Sequence, residues 1–153
     1  MDHIKEAADN FMKGYNCAQS VLLAFTDVTG LDEHTSVLIG SSLGAGISGA
    51  REVCGAVNAA AIVLGLCKGY DVPGDINVKR AHYAKVTEML DEFRAAYDTV
   101  VCRELLAGLK ISNIASERTP EYYKTRPCLR VIMKAAEIVE KRVAAQDVDG
   151  ENE

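Results

Sequence analysis

The sequence predicts an all-α, single-domain helical bundle of about five to six helices around a central small-residue helix. Three observations lead there. Apolar residues recur at helical spacing in most segments, and no alternation of apolar and polar residues runs over a strand length. Residues 50–66 are mostly Ala, Val, Ile, Leu and Gly, the composition of a helix that is apolar on nearly all sides and belongs at the centre of a bundle. With 153 residues and 48% hydrophobic content, the chain can bury one core and fits one domain.

In chain order, Ile4, Ala7, Ala8, Phe11 and Met12 form an amphipathic stripe that Gly14, Tyr15 and Asn16 interrupt. Asn16 is an N-cap residue type, and Ala18, Val21, Leu22 and Phe25 resume the pattern behind it. Asp32 is the expected cap of a short helix over EHTSVLIGSSLG, which the glycines at 40, 44, 46 and 49 end in a tight turn. The central helix follows over 50–66, with Gly69 as its stop. Asp75 caps a long helix through 96, in which Val78, Tyr83, Val86, Met89, Leu90 and Phe93 are the apolar positions. Asp98 and Thr99 offer a cap for a short helix VVCRELLAG. Residues 109–125 read as irregular, and Pro127 opens the last helix, CLRVIMKAAEIVEKRVAA. The helical domain is thus expected over 1–146, with 147–153 an acidic, frayed tail.

That tail explains much of the net charge of -5, because Asp147, Asp149, Glu151 and Glu153 lie in it. Taking those four from 22 acidic residues leaves a body close to neutral against 17 basic ones. A near-neutral body without a basic run argues against nucleic-acid binding. No long uninterrupted apolar run is present, so no membrane association is expected, and the charged start MDHIKEAADN does not read as a secretory signal. The expected compartment is the cytoplasm.

Gly44 to Gly49 spell GxGxxG, and Asp71 stands where a ribose-binding acid would. A dinucleotide site requires a strand before the turn and a βαβ unit around it. Here the flanking residues carry helix signals, so the glycines read as a helix-ending turn and no nucleotide is expected. His3, His34 and His82 are scattered on polar faces, and surface positions are expected for them. Glu52 and Glu104, beside cysteines, read as ordinary first-turn acids. Tyr15, Tyr122 and Tyr123 read as packing residues.

The five cysteines carry more information. Cys54 follows the glycine turn, Cys102 follows Asp98 and Thr99, Cys128 follows Pro127, and Cys17 follows Gly14 and Asn16. Each falls in or near the first turn of an expected helix, where unpaired amides and the helix dipole favour a thiolate or a metal-bound thiolate. Arg51, Arg103 and Arg126 are close in sequence and add positive potential. Cys67 falls near a helix C-terminus, where the dipole disfavours a thiolate, and is expected to be a core thiol. The odd number argues against a fully paired disulfide framework. No CxxC is present, so neither a zinc finger nor a thioredoxin-type pair is supported.

Around these cysteines the chain resembles the redox-active family named for its cysteine pattern, C-GCAxxG-C-C. The resemblance runs from about residue 11 to 139. It is carried by GYNCAQSVLLAF at Cys17, EVCGAVNAAAIVLGL at Cys54, CRELLAG at Cys102 and the isolated Cys128 before a helix. It implies a helical, redox-active protein whose four family cysteines map to Cys17, Cys54, Cys102 and Cys128, leaving Cys67 outside.

Three readings follow. In the leading one, Cys17, Cys54, Cys102 and Cys128 meet and ligate an iron–sulfur centre such as [2Fe–2S] for electron transfer, a use that four thiolates satisfy. In the second, the protein is a thiol/disulfide oxidoreductase with Cys54 as the attacking thiolate and another cysteine resolving it. In the third, it is a non-catalytic helical partner-binding module with buried cysteines. A redox partner protein of unknown identity and a homo-oligomer are the associations considered.

Overall fold

A computed structural model describes residues 2–144; the acidic tail, 147–153, lies outside the described residues. The architecture is all-α. Six helices have eight residues or more: α1 (His3–Met12), α2 (Cys17–Ala24), α4 (Glu33–Gly40), α6 (Gly55–Lys68), α7 (Ile76–Tyr97) and α10 (Cys128–Ala144). Short turns connect them: α3 (Thr26–Thr29), α5 (Gly44–Ile47), α8 (Cys102–Leu105) and α9 (Pro120–Thr125). Among the described residues no helix is long and apolar enough to cross a membrane.

α6 is the central element, in contact with α2, α3, α5, α7 and α10. Its small residues make this possible: Ala56, Ala59 and Ala60 are buried and let neighbouring backbones approach, while Val63 and Leu64 fill the space beyond. Val21, Leu22 and Phe25 from the second helical segment and Ile132, Ile138 and Val139 from α10 complete the core. α1 closes one side by packing on α2 and α10.

The caps read from the sequence are present in part. The Asn16 side chain accepts from the Gln19 amide at 2.8 Å, and the Gln19 side chain accepts from the Asn16 amide at 3.1 Å, a complete capping box. Asp32 accepts from the Thr35 amide at 2.7 Å, and Asp75 accepts from the amides of Asn77 and Val78. Asp98 acts differently from expectation. It ends α7 in the left-handed region at φ 65°, and Thr99 alone turns the chain onward by accepting from the Val101 amide at 3.0 Å. α9 falls within the stretch expected to be irregular; Thr119 caps it and Pro120 occupies its first turn.

The central helix starts five residues later than 50, at Gly55. Ala45, Gly46, Ile47, Ser48, Gly49 and Arg51 all have positive φ, which no continuing right-handed helix can accommodate. Residues beyond that turn run extended instead. Val53 and Val101 form an isolated antiparallel bridge, flanked by Cys54 N–H donating to Val100 O at 2.8 Å and Cys102 N–H donating to Glu52 O at 2.6 Å. A pairing this short leaves no alternating pattern to read.

His3 also departs from its expected surface position. It is buried at the junction of α1, α3 and α10, where Nδ1 lies 2.7 Å from Glu140 and Nε2 lies 2.9 Å from Asp27. Its ring stacks on Phe25 at 4.3 Å.

Candidate functional site

Where the N-termini of α2, α6 and α10 approach the glycine turn, a cavity of about 510 Å³ opens, and Cys17, Cys54, Cys102 and Cys128 all line it. Cys67 does not. It lies at the other end of α6, partly buried, and its thiol faces the Val28 carbonyl at 3.5 Å.

Local geometry explains how each cysteine reaches the wall. Cys17 is the first residue of α2, directly behind the capping box. Its sulfur rests against Gly55: a Cβ there would stand 2.5 Å from Cys17 Sγ and 2.6 Å from the Leu43 carbonyl oxygen. Only glycine permits this approach, so the residue after Cys54 is also the seat of Cys17. Cys54 is the N-cap of α6, one position before the first turn. The Val53–Val101 bridge carries Cys54 and Cys102 on its two strands, and alternation along each strand turns both to the same side. Gly46, in the left-handed region at φ 63°, lets the turn close over Cys102, since a Cβ would meet Cys102 Cβ at 2.8 Å. Cys128 opens α10 behind Pro127.

The electrostatics differ from the helix-terminus expectation. Burial pushes the Cys17 thiol up, although the amides of Ala45, Ala18 and Gly55 oppose the rise. Burial and then the neighbouring Cys17 raise Cys54 far above the ordinary thiol range; the Val57 and Ala56 amides draw it back only in part, and its side chain makes no capping hydrogen bond. Cys128 is pushed up to about 11, first by burial and then by Cys17, against the pull of Arg126 and Arg118. Desolvation of a thiolate thus outweighs the helix amides at these three positions.

Cys102 has a different neighbour. Arg51 is a buried residue with positive φ, and its Nη1 donates toward Cys102 Sγ at 3.6 Å. The same guanidinium is fixed by donating through Nε and Nη2 to the Ser112 carbonyl, at 3.2 and 2.8 Å. Arg126 also lines the cavity, whereas Arg103 does not and instead pairs with Glu52 at 2.8 Å on the surface. The sequence reading missed Arg118. Its guanidinium donates to the carbonyls of Phe11 and Tyr15, at 3.0 and 2.9 Å, and lies 4.2 Å above the Phe11 ring. No local pattern in an irregular stretch marks such a residue. Tyr122 lines the cavity as well, while Tyr123 packs edge-on against Phe11.

Residues 15–142 match the family model described as "Putative redox-active protein (C_GCAxxG_C_C)". The chain belongs to that family. The match spans all five cysteines, including the four at the cavity of this C_GCAxxG_C_C protein. Counted from Cys54, the family's central glycine, alanine and glycine fall at Val53, Gly55 and Asn58. Asn58 uses its side chain here, donating to the Val53 carbonyl at 3.2 Å and bracing the start of α6. No curated protein and no solved structure matches the chain.

Among the described residues no group of three or more His, Cys, Asp or Glu side chains is arranged to hold a metal ion. The four cysteines therefore share a cavity wall without forming a ligand cage in this arrangement.

Proposed function

We propose that this protein is a thiol/disulfide redox protein whose cavity cysteines form and break a disulfide. The observation that carries the reading is that four free thiols line one cavity and one of them, Cys102, has a guanidinium at its sulfur. Membership of a redox-active cysteine family supports the same class.

In this reading Cys102 is the attacking sulfur, in place of Cys54. Its sulfur is the one that accepts from a guanidinium, whereas burial and Cys17 both oppose ionisation of Cys54. The Cys102 thiolate attacks one sulfur of an oxidised disulfide RSSR, forming a mixed disulfide and releasing one RS⁻. A second cavity thiol, from Cys17, Cys54 or Cys128, attacks the Cys102 sulfur and releases the other. The two thiol protons end on the two leaving groups, so two protein thiols and one RSSR give one protein disulfide and two RSH.

An iron–sulfur centre on Cys17, Cys54, Cys102 and Cys128 is the competing use of the same residues. Four sulfurs suit its chemistry, but their arrangement does not fit, since no three of them are grouped as ligands among the described residues. Protein purified without oxygen separates the two uses. Reversible loss of two thiols per chain, without iron and acid-labile sulfide in equal amounts, is the result expected. Stoichiometric iron and sulfide with visible absorption would establish the cluster instead, and thiols inert to oxidants in the folded state would return the chain to the partner-binding module.

A further inference from the structure

Three arginines line the cysteine cavity, Arg51, Arg118 and Arg126, and among the described residues no Asp or Glu lines it. Among the described residues none of the three lies within ion-pair distance of a carboxylate. Their fixed partners are uncharged oxygens, aromatic faces and one sulfur. Arg51 is held by the Ser112 carbonyl, and Arg118 by the carbonyls of Phe11 and Tyr15. Arg126 donates to Ser116 Oγ at 3.3 Å and lies 4.6 Å above the Tyr122 ring. These contacts orient the guanidiniums; only Arg51 faces a group, the Cys102 sulfur, that can carry the opposite charge, and Arg118 and Arg126 face none.

Arg51 is only 9% exposed, and a single thiolate at Cys102 leaves two further positive charges in the cavity wall. A buried charge carries a desolvation cost that an opposite charge offsets. The cavity also has room for that charge: about 510 Å³ lies within the range of small-molecule sites, roughly 300–1,000 Å³. Leu105, Leu106, Val131 and Ile132 add apolar lining suited to a short carbon chain.

We infer that the cavity binds a small organic anion carrying carboxylate groups, and that the disulfide reduced there is a low-molecular-weight, carboxylate-bearing one. The charge preference rests on the cavity alone; the disulfide identity rests on the exchange reading above. Guanidinium N–H groups not used in these contacts donate charge-assisted hydrogen bonds to a carboxylate, and an anion that reaches Arg51 lies beside the Cys102 sulfur.

The test uses the reduced full-length chain and three disulfides: anionic 3,3'-dithiodipropionate, neutral bis(2-hydroxyethyl) disulfide and cationic cystamine, each rate divided by that with free cysteine. Suberate, the carbon analogue of the first, reports binding by calorimetry with no redox step. The expected result is a normalised rate at least tenfold higher for the anionic disulfide than for cystamine, and saturable suberate binding. Both are weakened in Arg118→Gln and Arg126→Gln and unchanged in Arg103→Gln. Equal normalised rates with no suberate binding would overturn the inference while leaving the exchange reading intact. Suberate binding without any disulfide reaction would uphold the anion site and remove the exchange reading. Absence of both would remove both.

Discussion

The two ends of α6 each carry a cysteine, and the contrast between them separates a thiol among other sulfurs from an isolated one. At the N-terminal end Cys54 shares a cavity with three other cysteines and three guanidiniums. At the C-terminal end Cys67 faces a single backbone carbonyl and lies outside the cavity. Both thiols are raised by burial, so burial does not distinguish them. What differs is the company: further sulfurs to exchange with, and cations that favour charge.

The largest effect expected on this contrast comes from glycine. Gly55→Ala would force a Cβ against Cys17 Sγ and the Leu43 carbonyl oxygen, one of them backbone. A stability loss of about 1–3 kcal/mol is expected from such overpacking, with altered oxidation of Cys17. Gly65→Ala, in the same helix near Cys67, meets nothing within 4 Å and should stabilise by about 0.5–1 kcal/mol. Thermal unfolding of the two variants checks both signs.

A comparable effect follows pH. Cys128 is raised from 9.0 to about 11 in the folded protein, so the folded state keeps its proton where the unfolded state loses it. Its contribution is therefore full below pH 9 and lost as the pH rises through about 11, amounting to about 2–3 kcal/mol. Cys17 and Cys54 shift in the same direction and add to the loss. Urea unfolding at pH 8 and pH 10.5, compared between the wild type and Cys128→Ser, isolates the part due to Cys128. An unchanged pH dependence in the variant would contradict the assignment.

Arg51→Lys is expected to act more selectively. It keeps the charge but loses the fork that reaches both Ser112 and Cys102. A loss of about 1–2 kcal/mol is expected from the broken hydrogen bonds, together with slower oxidation by a disulfide, read by stopped-flow thiol loss. The smallest effect is that of Cys67→Ser. The hydroxyl can still donate to the Val28 carbonyl, so the rate and extent of disulfide formation should match the wild type.

These contrasts also show what could be read from the chain alone. Asn16, Asp32 and Asp75 announce their helices because a cap acts within three residues of itself, and the small-residue pattern of α6 announces its central place. Separating Cys67 from the other four cysteines was legible for the same reason: helix polarity is a local property. The Val53–Val101 bridge was not legible, because it joins distant segments and is too short to leave a period. The start of α6 was misjudged because small apolar residues permit a helix from 50 onward, while the left-handed run through Arg51 is imposed by packing over Cys102 and α2. Arg51 and Arg118 matter through carbonyls dozens of residues away, which no local pattern encodes. The thiol shifts reverse the sequence argument, since a helix N-terminus can be read locally but depth of burial cannot.

The central claim is that redox chemistry belongs to the sulfurs of the cavity and to no other. The measurement that tests it most directly is disulfide mapping by mass spectrometry of the reduced chain after brief oxidation by a small disulfide. The expected product is an intramolecular bond joining Cys102 to Cys17, Cys54 or Cys128, reversed by dithiothreitol, with Cys67 recovered as a free thiol. A first disulfide that includes Cys67, or one that forms only between chains, would contradict it.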